Sequence, residues 1–540
     1  LYFEDHLTAY YVPMEFLDPI SYTFYTWVPS SDPPFYMLVE QTIVTTLIEI
    51  LMSSPGCYEH HFIPEFEPAE EFVIRETETV IIDLESVLTI PYYLEFEEVD
   101  NVINLDDVDA RNNNLMIYQK VAVLNGSPED ECFVERAYYY DYKGRVIQTV
   151  EKNHTGGISR FSTKYDFVGN MIASHESHAT EDGGAVNVRL AVFTYDHRGR
   201  LISEATSVNG SAPAAVYYGY DELGELVTRT YGTGANAVTE NMSYNIQGWL
   251  TGQDSDLFSM NLRYYDPDKG TTPSFTGNIT EWVWQHKGDD MISPAMSTYA
   301  YGYYKLSRLR ESILYEGTSI TPTNSFSERG ITYDMNGNIL SMKRYQGNAH
   351  EPCHDMAFTV YNGNQLSVMV NNNTLYSYEY DANGNMTLDS YKALKLDYNF
   401  LNLVESVSEI TPSGMRGPTV AYTWLADSTK LQVEDADGNG YLYLGSLVYS
   451  KHNGGDWEPE STSFGSGRII ASQGPGGETL FTPYYHLTDH LGSVRTVFTY
   501  DTLTGVPEVI ARNDYHAFGL QHENPLLIVG SDTENRFLYN

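Results

Sequence analysis

The sequence predicts an all-β chain, a long ribbon of antiparallel β-hairpins that curls on itself. Three observations lead there. The composition suits strands and tight turns, with 45 Tyr, 22 Phe and 42 Gly among 540 residues. One phrase, Tyr-Asp-x-x-Gly-x-apolar, recurs along the chain. Its copies start mostly about 20–30 residues apart, the spacing of repeat architectures.

The copies are YDYKGRV at Tyr140–Val146, YDFVGNM at Tyr165–Met171, YDHRGRL at Tyr195–Leu201, YDELGEL at Tyr220–Leu226, YDMNGNI at Tyr333–Ile339 and YDANGNM at Tyr380–Met386. Weaker copies are YNIQGWL at Tyr244–Leu250, YYKLSRL at Tyr303–Leu309 and YNFLNLV at Tyr398–Val404. Asp at the first turn position and Gly at the fourth match a type I turn followed by a G1 bulge. The turn residues are therefore Asp141 and Gly144, Asp166 and Gly169, Asp196 and Gly199, Asp221 and Gly224, Asp334 and Gly337, and Asp381 and Gly384. Each Asp carboxylate is placed to accept backbone N–H groups, and each Gly is expected at positive φ, where a Cβ costs about 1–2 kcal/mol. By this reasoning Gly337→Val is expected to be costlier than a change at Gly210, in an Asn-Gly-Ser loop.

Each copy thus encodes one hairpin, with Tyr in the incoming strand and the apolar residue in the outgoing one. A buried Tyr removes roughly 150–250 Å² from water, an upper bound of about 4–6 kcal/mol per ring. A lone hairpin is marginal, whereas hairpins joined edge to edge share one core. Strand twist keeps so long a ribbon from lying flat. The recurrent residue is large and polar-tipped, which favours a curled, solvent-filled wall over a compact sandwich.

At this point the chain resembles the RHS/YD-repeat proteins, in the form common in Bacteroidetes. The stretch Tyr138–Gly157 resembles an opening repeat, and FTGNITEWVWQ at Phe275–Gln285 a mid-shell segment. YHLTDHLGSVRTV at Tyr485–Val497 is similar to the DHLGxVR signature of the RHS-associated core, which adds Asp489 and Gly492 to the turn residues. NDYHAFGL at Asn513–Leu520 resembles the Y-x-PFG element, and RFLYN at Arg536–Asn540 the start of the next. The resemblance covers roughly residues 115–540. It implies a hollow β-shell that encloses or presents a C-terminal polypeptide such as a toxin, or else a glycan- or cell-binding adhesion protein. It also implies a bacterial, secreted or cell-surface location. The terminal self-processing stretch of the family is not matched. RYYDPDKG at Arg263–Gly270 imitates it but reads as a turn.

Residues 1–110 hold no copy of the phrase. They carry 23 of the 73 Asp and Glu and a single basic residue, Arg75. Residues 1–114 are expected to form an acidic, β-rich cap or a divergent first turn, with a separate small domain as the alternative. The shell is assigned to 115–475 and the start of the core to 476–540. Alternation at Glu70–Leu88 supports strands, and the acidic runs Glu65–Glu71 and Glu95–Asp109 read as solvated surface. The net charge of −42 argues against nucleic acid as a partner. The most apolar run, Phe35–Met52, is broken by Glu40 and Glu49, so no transmembrane segment is expected. Leu1 stands where a start Met would, without a basic leader, so no signal segment is visible. Cys57, Cys132 and Cys353 have neither metal nor disulfide spacing.

Candidate chemistry is thin. Asp435–Gly440 has the first half of a calcium loop, but Ser446 stands at its twelfth position and strands flank it, so a plain turn is the better reading. His175 and His178 lack a metal-site frame. His486, Asp489 and His490 could do acid–base work, yet they lie within the shell signature. No nucleophile elbow or phosphate loop is present. The expectation is therefore a structural protein rather than an enzyme, without catalytic residues, cofactor or metal.

Overall fold

The computed structural model describes residues 20–29, 36–45, 94–109, 115–124, 132–288, 295–347, 350–412 and 414–523. The alternation at Glu70–Leu88, the run Glu65–Glu71, Cys57 and Arg536–Asn540 lie outside them. Two compact units are present: Leu1–Glu95 with Met116–Gln119, and Phe96–Leu115 with Lys120–Asn540. In the smaller unit, β1 (Ile20–Pro29) and β2 (Tyr36–Thr45) pair antiparallel from Ile20↔Thr45 to Pro29↔Tyr36.

The larger unit is a meander in which each strand pairs with the next. It runs from β3 (Tyr118–Leu124) to β34 (Pro507–Arg512). The ribbon closes: β26 (Gly414–Leu425) pairs antiparallel with β3, Trp424 facing Leu124 and Leu425 facing Val123. The result is a closed antiparallel barrel of 24 strands, β3 to β26. At the seam Val121, Val123, Val134, Leu425 and Leu431 form one buried cluster. One short 3-10 turn, Leu105–Asp107, is the helical structure among the described residues. No helix there is long and apolar enough to cross a membrane. Phe96–Asp109, upstream of the expected boundary at 114/115, lies across the first hairpins. There Val102 and Ile103 are buried with Ile147 and Ala173.

The strands after the seam, from β27 (Lys430–Asp435) onward, lie over the first pass of the ribbon. The largest core joins both passes: Val216, Tyr231, Phe258, Trp284 and Tyr299 from the first, and Leu442, Tyr449, Phe464, Tyr485 and Phe498 from the second. Ser446 donates its N–H and its hydroxyl to Glu176, both at 2.8 Å. Tyr500 donates to the Tyr231 carbonyl at 2.6 Å. The ribbon does curl and close, but part of its length is a two-layer structure with an aromatic core.

The tyrosines of the repeated phrase lie outside that core, half-buried. Most of their hydroxyls bond to backbone. Tyr195 donates to the Met171 carbonyl at 3.0 Å, Tyr220 to Leu201 at 3.0 Å, and Tyr244 to Leu226 at 2.9 Å. The series goes on with Tyr333 to Leu309 at 2.8 Å, Tyr380 to Leu366 at 3.0 Å and Tyr398 to Met386 at 2.8 Å. In most steps the acceptor is the apolar residue that ends the phrase one hairpin earlier, so each ring ties its hairpin to the previous one. At the closing strand Trp424 takes the role, its indole N–H donating to the Val404 carbonyl at 2.8 Å. Burial pushes the hydroxyls of Tyr195, Tyr244, Tyr333, Tyr380 and Tyr398 above their ordinary pKa, and that of Tyr303, which donates to the Ile279 carbonyl, up to about 12, which keeps them protonated as donors.

Tyr333→Phe is expected to cost about 1 kcal/mol, the worth of one such bond. Tyr142→Phe, at an exposed turn tip, is expected to cost nothing measurable. Urea melts of the two variants check this, and equal midpoints would remove the ladder from the list of stabilising interactions.

Candidate functional site

The turn residues all fall at hairpin turns along one edge of the ribbon, since in a meander every second turn emerges on the same side. Each turn is built alike. Asp141 Oδ1 accepts the N–H groups of Lys143 and Arg145, both at 2.9 Å, and Oδ2 accepts Arg145 Nε at 2.7 Å. Asp166 holds Gly169 and Asn170 in the same way, with Asn170 Nδ2 on Oδ2 at 2.8 Å. Asp196 holds Arg198 and Arg200, Asp334 holds Asn338, and Asp381 holds Asn383 and Asn385. The N–H of Arg200, more than any other group, draws the Asp196 carboxyl down to about 2.

The second carboxylate oxygen was not legible in the phrase. The residue after Gly is Arg or Asn in five of the six full copies and supplies the side-chain donor. Asp221 is the exception, because Glu225 follows Gly224 and only N–H groups reach its carboxylate.

Gly144, Gly169, Gly199, Gly224, Gly337, Gly384 and Gly492 have φ between +78° and +109°. Gly210 is also left-handed, at +74°, so the expected contrast with Gly337 has no backbone basis. A Cβ at Gly337 would stand 3.4 Å from Arg308 Nη2, whereas the space at Gly210 is open.

Asp435 bonds Asp437, Asn439 N–H and Asn439 Nδ2 as the other turns do, which is a turn's use of its oxygens. His175 and His178 point to opposite faces of their strand, three residues apart. His178 lies 3.4 Å from Glu176. Asp266 is exposed, and its loop is held by buried Glu281, which accepts the Asp268 and Lys269 N–H groups at 2.8 and 2.5 Å. No cluster of metal-ligating side chains is present among the described residues.

His486, Asp489 and His490 do not converge. His486 donates its N–H to the Ser466 carbonyl at 2.8 Å, and burial pushes its imidazole down to about 4. His490 meets Trp282 edge-on at 5.0 Å. Asp489 closes its own turn through Leu491 and Ser493 and gives its other oxygen to Arg495 Nε at 2.8 Å.

Arg495 is the centre of the densest polar group. It is 1 % exposed. Its Nη1 donates to Asp514 Oδ1 at 2.9 Å, and its guanidinium lies over the rings of Trp282, Tyr515 and Trp284 at 4.2, 5.0 and 5.6 Å. Asp514 also meets His286 Nε2 at 3.2 Å, and His286 Nδ1 meets the Thr496 hydroxyl at 3.2 Å. Burial opposes the charge on Asp514, yet His286 and Arg495 hold its carboxyl far below the usual range. Hydroxyl, imidazole and carboxylate in line have the composition of an acyl-transfer triad. Here Thr496 is wholly buried, so no substrate reaches it, and the array binds the second pass of the ribbon to the first. Sequence reading missed this group, although a buried Arg within SVRTVF demands carboxylate partners.

Arg495→Met is expected to destabilise the chain by about 3–5 kcal/mol, because it strands two carboxylates in the interior. Arg495→Lys is not expected to restore it, since one ammonium lacks the planar fork. Denaturant unfolding followed by tryptophan fluorescence measures both.

No known family profile matches the sequence, and no curated protein is significantly similar to it. Among solved structures it is similar to a chain of the Photorhabdus luminescens Tc holotoxin pore, at 12% identity and TM-score 0.21, over 75% of this chain and 27% of that one. It is also similar to chains in the crystal structures of TcdB2-TccC3, at 13% and 0.22, and TcdB2-TccC3-Cdc42, at 14% and 0.22. Those two matches cover 76% of this chain and 28% of each partner chain, so the sequence spans little more than a quarter of the chains it matches. Overlaps at these TM-scores leave the reading of the site to its own geometry.

Proposed function

We propose that the chain is the wall of an RHS/YD-type β-shell, a bacterial secreted or surface protein that encloses or presents a polypeptide, and that it performs no catalysis itself. One observation carries this reading: the ribbon closes on itself through β3 and β26, and so divides an inside from an outside. The buried charged groups fit the same role. Glu176, Asp489, Arg495 and Asp514 are consumed in bonds that hold the wall together.

A second reading, adhesion to glycans or cells, has one observation of its own. Tyr265 and Phe275 stack at 5.9 Å and 7°, and both rings are exposed, Phe275 at 77 %. Two parallel exposed rings offer the apolar platform on which a sugar face stacks.

A passenger peptide with a protease site, joined after Asn540, separates the two. Enclosure predicts cleavage at least tenfold slower than in the free peptide, with fast cleavage restored by Leu425→Asp at the seam. Equal rates on the intact protein would reject enclosure. Glycan-array binding that Phe275→Ala abolishes would favour adhesion.

A further inference from the structure

Among the described residues the second pass runs into Asn513–His522, which turns at His516–Gly519 and pairs Tyr515 with Gln521. Its two imidazoles meet the first pass beside two other contacts, Asp514 with His286 and the Ala517 and Phe518 backbone with the Glu328 carboxyl. His522 stacks on Phe326 at 4.1 Å and 16°, and its Nε2 lies 2.9 Å from the Tyr299 hydroxyl. That hydroxyl donates to the Phe326 carbonyl at 2.7 Å, so the imidazole N–H is the donor toward it. His516 Nε2 donates to Gln346 Oε1 at 3.1 Å. Its Nδ1 is buried and has no hydrogen-bond partner. A neutral ring tolerates that; a protonated ring puts a charge in a desolvated site, where the Phe326 backbone favours it less than burial opposes it. The two rings stand 4.8 Å apart, edge to face.

We propose that His516 and His522 form an acid-sensitive latch: neutral, they fasten Asn513–His522 to the first pass of the ribbon, and protonated, they release it. The surroundings give the latch its sign. From the second pass it faces Asp489, Asp514, Arg495 and Glu523. The first pass contributes His286 of β15 (Glu281–His286), Tyr299 and Tyr301 of β16 (Ser297–Tyr303), and Glu328 of β18 (Glu328–Tyr333). Arg344 of β19 (Ile339–Arg344) and His354 of β20 (His354–Asn362) complete the surroundings. Asp514 is already shared between Arg495 and His286. A proton on either ring therefore adds a cation to a desolvated site that already holds Arg495 and Arg344.

Burial above all pulls His522 down to about 4 and His516 to about 2. Both values lie below that of a released histidine, near 6.5. The latch is thus at full strength above about pH 6.5 and weakens as pH falls, by about tenfold per unit for each ring. Glu328 acts the other way. Burial raises its carboxyl despite Arg344, so proton uptake there favours the closed state as pH falls. One carboxyl opposes two imidazoles, so release prevails. The latch is a property of the fold and does not depend on what the shell encloses.

Hydrogen exchange read by mass spectrometry between pH 7.5 and 4.5, corrected for intrinsic rates, tests it on the whole chain. Protection of Asn513–His522 is expected to drop at least tenfold per unit below pH 6, while Ala214–Tyr220 and Val238–Tyr244 stay protected. His522→Phe keeps the stack and removes the proton; it should shallow the pH profile, as should His516→Gln. Loss of protection only together with the reference strands would overturn the latch. So would a profile unchanged in both variants. If a variant fails to fold, shown by lost reference protection at pH 7.5, the wild-type profile still decides.

Discussion

Most tyrosines of the repeated phrase reach one hairpin back and give their hydroxyl to a carbonyl there, in most cases the one that ends the preceding phrase. A strand alone fixes only its own pairing. The hydroxyl adds a side-chain bond to the neighbouring strand, the outgoing strand of the previous hairpin, and so helps fix the offset of one hairpin against the next. A buried phenol without such an acceptor would give up about 1–3 kcal/mol of what its ring gains in a dry core. With the acceptor supplied by the repeat, the ring can be half-buried at each step with its tip satisfied. The two-layer core is built from other aromatic residues, among them Tyr231, Tyr299 and Tyr485.

The fold class was legible because the turn chemistry is local. Asp-x-x-Gly declares a turn, and Tyr and Leu on either side declare strands. The destination of the tyrosine hydroxyl was not legible, since the phrase does not show which carbonyl of the neighbouring strand comes within reach. The residue after Gly looked variable, but its recurring Arg and Asn are the donors to the second carboxylate oxygen. Ser307 and Asn402, at φ +59° each, replace Gly in the weaker copies and keep the left-handed turn without it. The site around Arg495 was hidden for a different reason. Its partners come from stretches more than 200 residues apart, Trp282 and His286 on one side and Asp514 on the other. No local pattern reports such a meeting.

Two of the buried charged groups mark where the two passes of the ribbon meet. Glu176 receives the Ser446 turn and Arg189 together, and Arg495 receives two carboxylates and three rings. Such groups contribute little net stability compared with apolar packing, but they penalise a shifted register heavily, because any slip leaves an ion unpaired. A ribbon of near-identical hairpins needs that penalty. Apolar faces alone would accept the second pass one hairpin further along.

The seam has a consequence for how the chain is made. Every strand of the barrel finds its partner next in sequence, except that β3 must also pair with β26, roughly 300 residues on, as the Leu124–Trp424 pairing shows. Synthesis at about 5–20 residues per second separates the two by roughly 15–60 s. For that time one edge of β3 is bare, a template for any passing strand. Lys120, which pairs with Glu135 and lies over the Phe133 ring, sits on that strand as a charged guard. The slow, vulnerable stage of biogenesis is thus neither the repeat nor its turns but the wait of a single early strand for its late neighbour.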